Sequence, residues 1–149
     1  MAGYSGTPLA KKLGIADGMR VAALHAPDEL GQWLAPLPEG ATVTHRLPRQ
    51  ADVLLAFVTE RAHLIRAWPK LTAAAGDTGA VWVCWPKKAS KVPTDMTENV
   101  VRDVALPTGW VDVKVCAASA GKNCEARDRH VMGSRRDSRL RRWAGAVRR

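Results

Sequence analysis

The chain has 149 residues, 46% of them hydrophobic, and a formal net charge of +9. That length suits one domain with a real core, and no apolar run approaches the roughly 20 residues of a membrane span. Met1 to Thr7 does not read as a secretory leader, and Cys84, Cys116 and Cys124 show no Cys-x-x-Cys spacing, so the expectation is a cytoplasmic protein with no membrane partner, disulfide framework or zinc site.

Apolar runs bounded by turn residues alternate with helical patterns through Ala118, the signature of a parallel sheet covered by helices. Thr7 and Pro8 open a short helix that carries Leu9 and Leu13 on one face and ends at Gly14. After the Asp17-Gly18 turn, Arg20 to Leu24 reads as the first strand. Asp28 to Leu37 follows as a helix with Leu30, Trp33, Leu34 and Leu37 on one stripe. Thr42 to Leu47 alternates loosely, as a half-exposed strand does, whereas Val53 to Val58 is apolar at every position and demands burial on both faces.

Thr59 is the expected N-cap of a helix over Glu60 to Ala75, with Leu64, Trp68, Leu71 and Ala75 facing inward, Pro69 kinking or splitting it, and Gly76 closing it. Val81 to Trp85 is a second fully apolar strand. Asp95 and Glu98 have the spacing of a capping box before the next helix, and Val111, Val113 and Val115 alternate with Asp112 and Lys114 in a last strand.

Continuous apolar strands belong in the middle of a doubly wound sheet and alternating ones at its margins. The expected fold is therefore α/β: a three-layer, Rossmann-like, mostly parallel sheet of five strands in the order 2-1-3-4-5, with helices on both faces. Ligands of such sheets sit beyond the carboxyl ends of the strands. This rim gathers His25, Pro27, Thr59, Trp85, Pro86, Lys87, Lys88, Ser90 and Thr94 as candidate ligand-binding residues.

The segments GYSGTPLAKKLGI, GMRV, DVLLAFVT, VWVCWPKKAS, PTDMTENVV and WVDVKVCA resemble an uncharacterised family of small bacterial proteins, the domain-of-unknown-function 3052 type, over about Gly3 to Ala117. That resemblance implies a trimmed S-adenosylmethionine-dependent methyltransferase fold. Where methyltransferases place an acidic residue and closely spaced glycines, this chain has Leu24, His25, Ala26, Pro27 and Asp28. Glycines let backbone approach a cofactor, so their absence argues against S-adenosylmethionine and leads to the expectation of no cofactor.

Composition changes after Ala118. Residues 1–118 hold 13 Lys and Arg against 11 Asp and Glu, while residues 119–149 hold 10 against 3, nine of the ten being arginine. The expected organisation is a single domain over 1–118 and a basic tail over 119–149, either disordered or a shifted reading frame, with a helical tendency over Arg135 to Val147. Arg135, Arg136, Arg139, Arg141 and Arg142 are the residues by which such a tail would contact nucleic acid. Loss of a further family strand would leave the strand over 110–116 as an unpaired edge prone to self-association.

The rim residues also have structural readings. Paired loop lysines are commonly solvated, a Trp ending a buried strand commonly fills space, and a lone His25 without an identifiable carboxylate makes no catalytic set. His45, His63 and His130 are too scattered along the chain for a metal. No catalytic residue is assigned. The leading expectation is a non-catalytic, methyltransferase-like domain binding a small anionic ligand or a protein. The alternative is a methyltransferase or other small-molecule transferase with an atypical cofactor loop, and nucleic-acid binding through the tail is a weaker third.

Overall fold

A computed structural model describes residues 8–87, 91–118 and 129–136. In chain order the elements are α1 (Leu9–Lys12), β1 (Arg20–Leu24), α2 (Leu30–Leu34), β2 (Thr42–Thr44), β3 (Val53–Phe57), α3 (Arg61–Ala75) and β4 (Ala80–Pro86). They continue with α4 (Glu98–Ala105), a single 3-10 turn (Leu106–Thr108), β5 (Trp110–Ala118) and β6 (Arg129–Arg136). One sheet holds all six strands in the order β2-β1-β3-β4-β6-β5. β2, β1, β3 and β4 run parallel, and β6 lies antiparallel between β4 and β5.

The continuous apolar runs are explained by layers on both faces. Side chains alternate across a strand, so Leu54, Ala56, Val81, Val83 and Trp85 face α3 and α4 together with Leu64, Trp68, Leu71 and Val101. Val53, Leu55, Phe57, Ala80, Trp82 and Cys84 face the opposite way, against Leu13, Leu30, Trp33 and Leu34 of the α1 and α2 region. The Trp82 indole donates to the Leu13 carbonyl at 3.0 Å, tying the first layer to the centre of the sheet. Across the other face, Trp68 meets Trp110 edge-to-face at 5.9 Å and donates to Thr108 Oγ1 at 2.9 Å. These are the α/β class and three layers expected of the sequence.

The expected strand count and order need correction. A sixth strand sits inside the sheet, so the order 2-1-3-4-5 becomes one in which β6 separates β4 from β5. It falls within the region expected to be disordered, so that expectation and the domain boundary at 118 fail for 129–136. Its segment, RHVMGSRR, has charged ends and a Gly-Ser centre of low β propensity, and this hides the strand from periodicity. Its place comes instead from backbone pairing along both flanks and from close packing. A Cβ on Gly133 would stand 2.9 Å from two atoms of the Trp82 ring, so only glycine lets the strand pass over that indole.

Other expectations are corrected with it. Strand 110–116 lies at the margin of the sheet but pairs with β6 along its inner side. Arg135 and Arg136 belong to β6 rather than to a tail or a helix, while Arg139, Arg141 and Arg142 lie outside the described residues. α2 is shorter than expected because Ala35 leaves the helix for an extended conformation before Pro36. α3 runs unbroken through Pro69. Its N-cap is Glu60, not Thr59. The capping box is replaced by Thr97, whose side chain accepts from the Val100 amide at 3.2 Å, leaving Glu98 to pair with Arg102 at 3.4 Å. Arg102 also meets Asp112 of β5 at 3.4 Å, and this hydrogen bond leads the effects that raise its guanidinium above its ordinary value.

Candidate functional site

Parallel strands β1, β3 and β4 all end on one rim, and the chain leaves that rim by three different devices. After β1, His25 adopts a left-handed backbone with φ 57°, Pro27 follows, and the Leu30 amide bonds back to the Pro27 carbonyl at 3.1 Å as α2 begins. A β-carbon makes this conformation cost roughly 1–2 kcal/mol, and glycine is its usual occupant. His25 thus holds, at the exit of β1, a backbone conformation that glycine usually occupies.

After β3, the Val58 amide donates to the Cys84 carbonyl at 2.9 Å, and Thr59 leads into α3. A strap from 94 to 97 fastens this exit. Thr94 Oγ1 donates to the Thr59 carbonyl at 2.6 Å and accepts from the Met96 amide at 3.0 Å. The Asp95 carboxylate accepts from the Arg61 amide at 2.7 Å, so it serves the first residue of α3 instead of its own helix. A negative group beside a helix N-terminus satisfies a free amide and complements the helix dipole.

Two adjoining clefts open over the rim. One, of about 380 Å³, is lined by His25, Pro27, Phe57, Val58, Thr59, His63, Cys84 and Pro86. The other, of about 490 Å³, runs toward β2 and includes His25, Pro27, Asp28, Gly31 and His45. His25 and Pro27 form the wall they share. His25 and His63 meet edge-to-face with ring centroids 4.9 Å apart.

Of the residues expected from sequence, His25, Pro27, Thr59 and Pro86 come together in the first cleft. Thr94 supports that cleft from behind through Thr59. Trp85 does not reach the rim as a stacking surface: it is 3% exposed and packs within the α3–α4 side of the core. Lys87 is half-exposed directly after β4, and Lys88 and Ser90 lie outside the described residues. His63 is not among the residues expected from sequence, because it is remote from the other histidines along the chain. Its signal was positional: it is the third residue of the helix that follows β3, so the βα turn carries it to the same rim as His25. Among the described residues no cluster of three or more metal-ligating side chains occurs.

Solved structures that resemble this fold are methyltransferases. A SAM-dependent methyltransferase from Aquifex aeolicus superposes with TM-score 0.53 at 12% identity, covering 85% of this chain and 86% of that one. Magnesium protoporphyrin IX methyltransferase from Synechocystis PCC 6803 with bound SAM gives TM-score 0.55 at 8% identity, covering 87% and 74% of the two chains. The same enzyme with bound SAH gives 0.51 at 10% identity, covering 87% and 78%. No family model matches the chain, and no curated protein matches it. The fold is thus Rossmann-like, of the kind these methyltransferases share. The expectation of no cofactor, drawn from the missing glycines, is overturned by these neighbours, whose shared fold is found with SAM or SAH bound.

Proposed function

We propose that this chain binds S-adenosylmethionine in the cleft at the carboxyl ends of β1 and β2, beside the cleft over β3 and β4, and acts as a small methyltransferase with an atypical cofactor loop. The observation that carries the reading is the β1 exit. His25 holds φ 57°, a conformation glycine usually occupies, at the wall between two clefts beyond the carboxyl ends of the strands. The residues present suit a nucleoside with a charged amino-acid arm. Asp28 offers a carboxylate to an ammonium or to ribose hydroxyls, and His45, twenty residues beyond His25, stands after β2, where Rossmann sheets place a ribose-contacting side chain.

When bound, S-adenosylmethionine supplies an electrophilic methyl group that passes directly to an acceptor. No protein nucleophile is required for such chemistry, so the lack of a Ser-His-Asp or Cys-His set in the sequence does not oppose it. What the protein contributes is orientation and exclusion of water. The leading expectation from sequence, a non-catalytic domain, draws no support from the fold's neighbours, which favour the methyltransferase alternative. The sequence segments quoted above also support membership of the domain-of-unknown-function 3052 type, as part of the same proposal.

Calorimetric titration of the full chain with S-adenosylhomocysteine tests the reading, with thermal melting as a second measurement. Ligand at one hundred times its dissociation constant stabilises the folded state by about 2.7 kcal/mol. Saturable heat with a matching rise in melting temperature is expected, and no heat and no shift at millimolar ligand would refute the proposal.

A further inference from the structure

We infer that His25 and His63 form the proton-accepting wall of a subsite for a small acceptor bearing a hydroxyl or amine, an assignment that rests on the methyltransferase reading. The two imidazoles reach the 380 Å³ cleft from separate elements, β1's exit and the first turn of α3, with ring planes inclined at 68°. Among the described residues no hydrogen bond or ion pair engages either ring, so their nitrogens are available to a molecule in the cleft. Histidine also persists at a left-handed backbone position where glycine carries no penalty, and strain of that kind accumulates at functional sites.

The rest of the lining sets the acceptor's shape. Phe57, Val58, Pro27 and Pro86 are apolar while Thr59 and Cys84 add a hydroxyl and a thiol, a mixed lining that suits a compact acceptor with an apolar body and a polar, exchangeable group. A neutral hydroxyl or amine is a weak nucleophile until that proton leaves. In the assigned step the acceptor's O–H or N–H bond breaks and its electron pair stays on the heteroatom. A ring nitrogen of His63 or His25 forms the new N–H bond with its own lone pair.

4-Nitrophenol reads this step without cofactor or turnover, because its phenolate absorbs visible light and its phenol does not. At the probe's own midpoint half of it is ionised free in solution. Saturating full-length protein should raise that fraction to about nine tenths, a roughly tenfold shift in its ionisation constant. His63→Gln and His25→Gly, the latter suited to the observed φ, should each abolish most of the rise. No rise with the wild-type chain, or an equal rise in both variants, would overturn the assignment. Calorimetry with S-adenosylhomocysteine on the same three proteins keeps the two readings apart. Absent binding to wild type refutes the cofactor, whereas persistent ionisation in both variants refutes the proton-accepting pair.

Discussion

Ending the chain after Ala118 removes β6, and the structure predicts that what remains does not fold. β6 has eight residues and pairs along β4 from Ala80 to Pro86 on one side and along β5 from Trp110 to Ala118 on the other. An inner strand places nearly all its amides and carbonyls in ladders, and each bond contributes about 1 kcal/mol net. The loss is therefore roughly 10 kcal/mol, comparable with the entire 5–15 kcal/mol stability of a domain. β5 would lose its only sheet partner among the described residues, and with it the position of Trp110, 1% exposed against Trp68. Far-UV circular dichroism and urea unfolding of residues 1–118 against the full chain measure this. The expected outcome is a truncated chain without a cooperative transition. A cooperative melt within about 1 kcal/mol of the full chain would refute the argument and return the domain boundary to Ala118.

Four further outcomes follow from single contacts. Gly133→Ala drives a methyl into the Trp82 ring at 2.9 Å and should cost about 1–3 kcal/mol in urea unfolding, with a shifted tryptophan fluorescence maximum. His25→Gly should change stability by less than about 1 kcal/mol, since relief of the left-handed backbone is offset by greater freedom of the unfolded chain. His25→Val, β-branched at the same φ, should cost more than about 1 kcal/mol, and equal melting of the two variants would contradict the assigned strain. Asp95→Ala frees the Arg61 amide and should cost about 1–2 kcal/mol, with faster hydrogen exchange confined to the first turn of α3. Thr97→Ala removes the cap of α4 and should cost about 1 kcal/mol in thermal unfolding, a loss that Thr97→Ser restores.

The parallel core was legible in the sequence because Val53–Phe57 and Ala80–Pro86 are apolar at nearly every position, and only burial on both faces makes that pattern stable. β6 was not legible, because its two described buried positions are a glycine and a serine. Neither carries a side chain that announces a strand, and Gly133 is there for the passage of Trp82. Local chemistry misled in the same way near α4. Asp95 and Glu98 have capping-box spacing, yet Asp95 reaches across to α3, a contact 34 residues away that local spacing cannot show.

The site divides along the same line between local pattern and three-dimensional placement. Its location followed from topology alone, since three parallel strands ending together make a rim, and His25, Pro27, Thr59 and Pro86 were read from that rule. The expectation of no cofactor rested on residue types at the β1 exit, whereas what sets that position apart is its backbone angle, φ 57° at His25. His25 supplies that angle at an energetic cost and adds an imidazole that glycine would lack. His25 lines both clefts and meets His63 edge-to-face. The residue that argued against a cofactor in the sequence is therefore the one on which the proposed binding and proton-accepting functions converge.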